Sequence, residues 1–384
     1  MSPVREQVPL AGYTTLGLGG PAARFIEAGT DEEIITAVRD ADLKGDPVLV
    51  LGGGSNLVVA DEGFAGTVIR IASRGIRPVA DGAGLLLAVE AGEQWDPLVE
   101  RCVGEELSGL ECLSGIPGLA GATPIQNVGA YGQEVAETLV TVRAYDRQRD
   151  VIVELTNADC GFGYRTSAFK RTSSGPDRGG PDRGGSDGGG SDGGGGPAAT
   201  GRLVVLGVTF RLDCSPLSAP VRYGELAARL GVSAGERVPL PAAREAVLGL
   251  RRAKGMVLDP LDPDTRSAGS FFTNPVLDQD QFARLERVAA AGSSHPVSVP
   301  HFAGELGQVK VPAAWLIEHA GFGKGFAAGT AARVSSKHTL ALTNQGGAST
   351  ADLLALARQI AAGVQAAFGI QLACEPVLVG VTLR

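Results

Sequence analysis

The sequence predicts an α+β protein of two or three domains, and three observations carry that expectation. At 384 residues the chain is longer than one hydrophobic core ordinarily serves. Apolar runs too short for helices alternate along it with runs at helical spacing. Two glycine-rich stretches fall in its first third, and neither opens a helix as a dinucleotide-binding βαβ unit requires.

Taken in order, Thr30-Asp31-Glu32-Glu33 reads as a capping box, with Ile34, Ile35, Val38 and Ala41 following at helical spacing. Gly45-Asp46-Pro47 ends that helix. The runs Val48–Leu51 and Leu57–Val59 suit strands, and between them lies Gly52-Gly53-Gly54-Ser55-Asn56. Successive N–H groups in such a tight turn form a concave anion site, and glycine lets a phosphate come close. A first α+β unit extends to about Ser73. Leu85–Val89 and the stretch Val140–Val153 read as strands, and Asp96-Pro97 as a helix start with proline in the first turn. The second glycine-rich stretch, from Gly115-Ile116-Pro117-Gly118 to Gly129-Ala130-Tyr131-Gly132, again presents backbone to a ligand. Residues 173–201, nearly all Gly, Asp, Ser, Pro and Arg, bury no apolar surface and are expected to be disordered. The Gly-x-Ser-x-Gly matches at Ser186 and Ser191 inside them lack the flanking strand and helix of a nucleophile elbow. Leu203–Leu212 then reads as a strand. Helical patterns cover 242–254, 278–291 and 312–320, with strands around Ser270 and at Thr339–Leu342. Ser349-Thr350-Ala351-Asp352 caps a helix through Leu353, Ala357, Ile360, Val364 and Phe368, closed by Gly369. A last strand, Cys374–Leu383, carries Glu375.

Composition narrows the class. A net charge of −8 argues against a nucleic-acid partner held by bulk electrostatics. No apolar run reaches the roughly 18 residues of a membrane span, and Met1–Ala11 lacks the pattern of a secretion signal. A cytoplasmic protein without a membrane partner is expected. Cys102, Cys112, Cys160, Cys214 and Cys374 are scattered, form no Cys-x-x-Cys pair and read as reduced, mostly buried thiols. The histidines show no ligand spacing, so no metal is expected.

Four groups of residues can carry chemistry. Arg165, in Tyr164-Arg165-Thr166-Ser167, offers a planar fork for a carboxylate or phosphate, or stacks on Tyr164 at the surface. Ser270, in Gly269-Ser270-Phe271-Phe272, shares a strand face with Phe272 while Phe271 buries on the other; its hydroxyl is structural or has a role. Glu375 is a carboxylate at the start of an apolar strand, or an edge residue in water. Arg251 and Lys254, three apart on one helix, hold a diphosphate together with Tyr223, or form a solvated basic face.

In this order and spacing, Leu51-Gly52-Gly53-Gly54-Ser55-Asn56, Ile116-Pro117-Gly118, Gln126-Asn127-Val128-Gly129-Ala130-Tyr131-Gly132, Phe162-Gly163-Tyr164-Arg165, Gly269-Ser270-Phe271-Phe272-Thr273-Asn274-Pro275 and Glu375-Pro376 resemble the UDP-N-acetylenolpyruvoylglucosamine reductase family over nearly the whole chain. The resemblance implies two FAD-binding subdomains of the vanillyl-alcohol-oxidase type, 1–73 and 74–222 with 173–201 as a solvent loop, and an α/β substrate-binding domain, 223–371. Residues 372–384 would return to the FAD-binding region. It implies an NADPH-dependent enzyme that reduces the enolpyruvyl vinyl ether of a UDP-sugar to a lactyl ether through FAD. Arg165 and Glu375 would bind and polarise the substrate carboxylate, and Ser270 would protonate the carbanionic carbon. Leu51, Gly52, Gly53, Gly54, Ser55, Asn56, Leu57, Ile116, Pro117, Gly118, Gly121, Ala122, Thr123, Ile125, Gln126, Asn127, Gly129 and Tyr131 would hold FAD. Tyr223, Arg251, Lys254, Asn274 and His301 would hold the UDP-sugar, His301 standing where relatives often carry glutamine. A monomer is expected. Two other classes compete: another FAD-dependent oxidase of the same fold, and a non-catalytic flavin or nucleotide-sugar binding module.

Overall fold

The computed structural model describes residues 3–81, 84–171, 200–291, 298–304 and 307–383. In chain order the first half forms β1 (Arg5–Pro9), β2 (Pro21–Ala28), α1 (Asp31–Lys44), β3 (Val48–Leu51), β4 (Leu57–Val59), β5 (Phe64–Ile71), β6 (Ile76–Asp81), β7 (Gly84–Glu90), α2 (Trp95–Gly104), β8 (Leu107–Ser108), β9 (Gly129–Ala130), β10 (Gln133–Glu134), β11 (Leu139–Asp146), β12 (Val151–Thr156), α3 (Asn157–Cys160) and α4 (Ala168–Arg171). The second half forms β13 (Leu203–Cys214), α5 (Gly224–Leu230), α6 (Leu240–Ala253), β14 (Ser267–Ser270), β15 (Val276–Leu277), α7 (Gln279–Ala291), β16 (Phe302–Ala303), β17 (Val309–Lys310), α8 (Ala313–His319), β18 (Ala332–Val334), β19 (Ala341–Asn344), α9 (Thr350–Phe368) and β20 (Val377–Val379).

These elements pack as two compact units. One comprises Met1–Val8, Ala22–Gly53 and Phe64–Arg251; the other comprises Pro9–Pro21, Gly54–Gly63 and Arg252–Arg384. The first contains a four-stranded sheet in the order β1-β2-β5-β3, with β5 parallel to β2 and β3. It also contains the antiparallel sheet β12-β11-β13-β7-β6, where β13 is buried along most of its length between β11 and β7. The core of this unit is built from residues of α1, α2, β7, β11 and β13, including Ile34, Val38, Trp95, Val142 and Phe210. The second unit holds three small sheets, β14-β19-β18, β15-β17-β16 and the parallel pair β20-β4. Its core joins Phe271, Phe272, Leu316, Leu353, Leu356 and Ile360.

The local reasons are those the residues predict. Thr30 caps α1 by accepting the Glu33 N–H, and Gly45 closes the helix in the left-handed region. The expected capping box is only half made, because the Glu33 carboxylate accepts from the Gly29 N–H at 2.8 Å. Ile34, Ala37, Val38 and Ala41 form the buried stripe. In α9 both bonds of the Ser349/Asp352 box are present, and Gly369 closes the helix at φ 70°.

Both runs flanking the first glycine turn are strands as expected, β3 joining β5 and β4 joining β20. Other expectations need correction. The final strand is Val377–Val379 rather than Cys374–Leu383. Pro376 has no N–H to give a ladder, and Gly380 leaves extended geometry at φ 72°. Lys254 lies one residue beyond α6, so it shares no helical face with Arg251. β14 ends at Ser270, so Phe271 and Phe272 lie beyond the strand, and both are buried, each 1% exposed. Residues 173–199 of the expected insert, with Ser186 and Ser191, lie outside the described residues. Thr200 and Gly201 are firmly held: the Thr200 N–H donates to the Val48 carbonyl at 2.7 Å, its hydroxyl accepts from Val50 N–H at 2.6 Å, and Arg147 donates to both carbonyls. Cys102, Cys112 and Cys160 are buried, Cys214 is exposed and Cys374 half-buried. Burial pushes the Cys102 and Cys112 thiols up to about 12, which keeps them protonated and inert at neutral pH.

Candidate active site

The first glycine turn passes from one unit to the other between Gly53 and Gly54. Gly53 lies against the second glycine-rich stretch: a Cβ there would come within 2.7 Å of Gly118 Cα. Gly118, at φ 121°, is itself tied to α2, its carbonyl accepting the Trp95 N–H at 3.1 Å. A side chain on Gly121 would collide with Ala91. Gly52 differs, because a Cβ there would meet nothing closer than Leu119 at 3.7 Å. Packing thus explains glycine at 53 and 121, whereas at Gly52 a methyl group would sit in ordinary contact with Leu119 and Ala122.

The second stretch also organises Arg165. Gly163 and Thr166 exchange backbone hydrogen bonds at 3.1 and 3.2 Å around Tyr164-Arg165, and the turn obliges Arg165 to take φ 54°. Three bonds anchor this turn to residues 125–129. Arg165 Nη2 donates to the Gly129 carbonyl at 3.0 Å, Ser167 Oγ donates to the Ile125 carbonyl at 2.7 Å, and Asn127 Nδ2 donates to the Gly163 carbonyl at 3.3 Å. Asn127, expected to face a cofactor, spends more of its amide on the protein, donating to Glu134 at 2.6 Å and accepting from Ala136 N–H at 3.2 Å. It and Tyr131 are also held at positive φ, 45° and 50°. Sparsely populated backbone of this kind gathers where surrounding structure fixes a ligand site. Tyr131 meets the half-exposed ring of Tyr223 edge-on at 5.6 Å, and burial pushes its phenol up to about 12. Burial lowers the Arg251 guanidinium to about 10, Arg165 pushing the same way and Tyr131 and Asp96 opposing. Arg251 is thus the charge common to Tyr131, Asp96 and Arg165. Burial by itself would raise the Asp96 carboxyl, but the Arg244 fork, the Gly115 N–H and Arg251 outweigh it and hold the group below the usual carboxylate range.

In the other unit a Cβ on Gly54, at φ 61°, would run into the Tyr13 carbonyl. Beyond it the Asn56 carbonyl accepts the Val377 N–H at 2.9 Å, so the turn leads directly into the β4–β20 pair. Ser270 ends β14, whose register against β19 slips between Ser267 and Ser270, with Gly269 at φ 74°. Such a bulge re-aims the residues that follow it. The backbone of Glu375 lies alongside: its N–H donates to the Phe271 carbonyl at 2.9 Å, and Cys374 bridges Phe272. Ser270 and Glu375, 105 positions apart by their numbers, are thus brought onto hydrogen-bonded neighbouring segments. Asn274 uses its carbonyl oxygen to accept the Ala313 N–H at the start of α8, 2.9 Å away. His301 is exposed, its Nδ1 3.1 Å from the Val299 carbonyl and its ring edge-on to Phe282. Lys254 is half-buried past the end of α6. A cavity of about 540 Å³ between α1 and the four-stranded sheet contains none of these residues.

Segment 9–21 carries no residue that sequence reasoning singled out, yet it contacts both Gly54 and the Ser270 strand. A signal was present: Thr14-Thr15-Leu16-Gly17-Leu18-Gly19-Gly20 is a third glycine-rich run.

Residues 22–155 match the model of an FAD binding domain, and residues 259–379 match the C-terminal domain model of UDP-N-acetylenolpyruvoylglucosamine reductase. The chain is an FAD-binding flavoprotein of α+β class. It is 56% identical over 379 residues to the UDP-N-acetylenolpyruvoylglucosamine reductase of Thermobifida fusca, covering 98% of each protein. It is 54% identical to that of Streptomyces coelicolor, covering 100% of this chain and 92% of the relative. The crystal structure of the Thermus caldophilus reductase overlays it with a TM-score of 0.59 at 25% identity, covering 99% of this chain and all of that one. The chain belongs to the UDP-N-acetylenolpyruvoylglucosamine reductase family.

The glycine contacts yield a direct expectation. Gly53→Ala should destabilise its unit by about 1–3 kcal/mol, the usual cost of overpacking, and lower the flavin content of the purified protein. Gly52→Ala should melt like wild type, because the protein has room for the methyl group. Melting temperature and flavin absorbance measure both, and a Gly53→Ala protein that melts and binds flavin normally would refute the close backbone packing.

Proposed function

We propose that this chain reduces the enolpyruvyl vinyl ether of UDP-N-acetylglucosamine enolpyruvate to the lactyl ether of UDP-N-acetylmuramate, with NADPH as reductant, in peptidoglycan precursor synthesis. One observation carries the reading: identity to named reductases runs the length of the chain, 98% of it for the 56%-identical relative. FAD, when bound, supplies the relay of hydride between NADPH and the alkene. Leu51 to Leu57, Ile116 to Gly118, Gly121 to Thr123, Ile125 to Asn127, Gly129 and Tyr131 are the residues assigned to hold it.

The chain's own groups must do the rest. Hydride addition at the terminal alkene carbon leaves negative charge at the adjacent carbon, delocalised into the substrate carboxylate. Arg165 meets that charge with a guanidinium whose five donors allow it to keep Gly129 and still present a fork. Glu375 holds the same carboxylate if it carries a proton, since two bare carboxylates repel. The Ser270 hydroxyl gives its proton to the carbanionic carbon. A serine hydroxyl is a weak acid, so the enolate must be its base and a relay must return the proton. Tyr223, Arg251, Lys254 and Asn274 are assigned to the diphosphate and sugar, with His301 closing on them. The functional division assigned is 1–73 and 74–222 for FAD, 223–371 for the UDP-sugar, and 372–384 for delivery of Glu375.

Among the described residues no helix is long and apolar enough to cross a membrane. We place the protein in the cytoplasm as a monomer. The test uses the purified protein. It should be yellow, and NADPH consumption should begin only on adding the enolpyruvyl sugar. Consumption driven instead by an alcohol and oxygen would mark an oxidase of the same fold. Binding of the flavin or the UDP-sugar without turnover would mark a non-catalytic module.

A further inference from the structure

The bulge that precedes Ser270 leaves part of β14 outside its ladder. Ser267 pairs with Thr343 and Ser270 with Ala341, so three steps on one strand face two on the other. Within the bulge the Ser267 hydroxyl accepts the Gly269 N–H at 3.3 Å. The Ser267 carbonyl accepts the hydroxyl of Thr15 at 2.6 Å, across 252 positions of sequence. Thr15 is itself fixed at its backbone, where its N–H donates to the Gly54 carbonyl at 3.2 Å. Nearby, Asn344 Nδ2 of β19 donates to the Leu16 carbonyl at 3.0 Å. One residue therefore links the glycine turn of the flavin site to the bulge that aims Ser270.

We propose that Thr15 is a positioning residue for proton delivery: its hydroxyl holds the β14 bulge in the register that presents Ser270 to the substrate carbon. The inference rests on the proton-donor reading of Ser270. A donor from outside the sheet is needed because Ser267 lies on the edge strand beside the bulge, with its carbonyl turned away from β19. The Thr15 N–H is committed to Gly54, so of this residue's two donors it is the hydroxyl that serves the Ser267 carbonyl. The consequence is selective. Loss of the hydroxyl loosens the aim of Ser270 and leaves Arg165, in the other unit, unaltered.

Thr15→Val keeps the shape and removes the hydroxyl, and Thr15→Ser restores it. In stopped-flow measurements on the holoenzyme, Thr15→Val should slow flavin reoxidation by the enolpyruvyl sugar about tenfold, the weight of one hydrogen bond lost where geometry matters. Flavin reduction by NADPH should stay within twofold of wild type, and Thr15→Ser should recover most of the loss. Hydrogen–deuterium exchange, read without turnover, should show faster exchange in residues 267–272 for Thr15→Val only. Ser270→Ala serves as the control. If it slows reoxidation while Thr15→Val does not, the positioning role is wrong. If Thr15→Val slows both half-reactions equally, Thr15 is merely structural and the inference falls. If Ser270→Ala itself leaves reoxidation unaltered, the proton-donor reading fails, and the inference fails with it for that separate reason.

Discussion

Ser270→Ala should leave flavin reduction by NADPH fast and slow reoxidation by the enolpyruvyl sugar about 10²–10⁴-fold, the range of general-acid catalysis. The substitution deletes one oxygen from a half-buried position and changes little else. Gly269 keeps its positive φ, Phe271 N–H still donates to the Leu340 carbonyl at 2.7 Å, and both phenylalanines stay in the core. The asymmetry between the half-reactions is the informative quantity. NADPH oxidation needs no proton at the sugar carbon, whereas sugar reduction does. Equal slowing of both would show that Ser270 is a packing residue whose loss disturbs the unit as a whole.

Arg165→Lys should lower kcat by about 10²–10³, the loss seen when one preorganised donor to a developing anion is removed. Lysine keeps the positive charge, so the prediction concerns geometry. Both side chains meet the same backbone penalty at φ 54°, because each carries a Cβ. What lysine lacks is the planar fork, which anchors to Gly129 at one nitrogen and has further donors for the carboxylate it is proposed to bind. Steady-state kinetics, with melting temperature as control, checks this. Unchanged turnover would remove Arg165 from the site. A large loss of stability with proportionate loss of activity would mean that its anchoring bond to Gly129 is the only role.

The candidate site could be proposed from sequence because its signals are local. Glycine at a turn, an arginine among small residues, and a serine between glycine and phenylalanine are each written in a few consecutive residues. The helices were legible for the same reason. Thr30 and Ser349 cap with hydroxyls that reach three residues on, and Gly45 and Gly369 close with a φ that other residues avoid. The misjudged ends were set from a distance. Whether Cys374–Leu383 forms one strand depends on which partners its N–H groups find, and Pro376 and Gly380 limit that to Val377–Val379 against β4. The amide of Asn127 is likewise held from a distance, by Glu134, Ala136 and Gly163.

By itself the sequence determined the α+β class, the two glycine turns, the capped helices and the residue types able to polarise a carboxylate and deliver a proton. Those properties rest on backbone sterics and side-chain chemistry acting within a few positions. Tertiary structure alone decided that the Glu375 N–H lies on the Phe271 carbonyl, that Gly53 is pressed against Gly118, and that Thr15 reaches the Ser267 carbonyl. Each is a contact between segments far apart in the chain. A buried carbonyl or a crowded Cα constrains its neighbours only after folding has brought them together and excluded water.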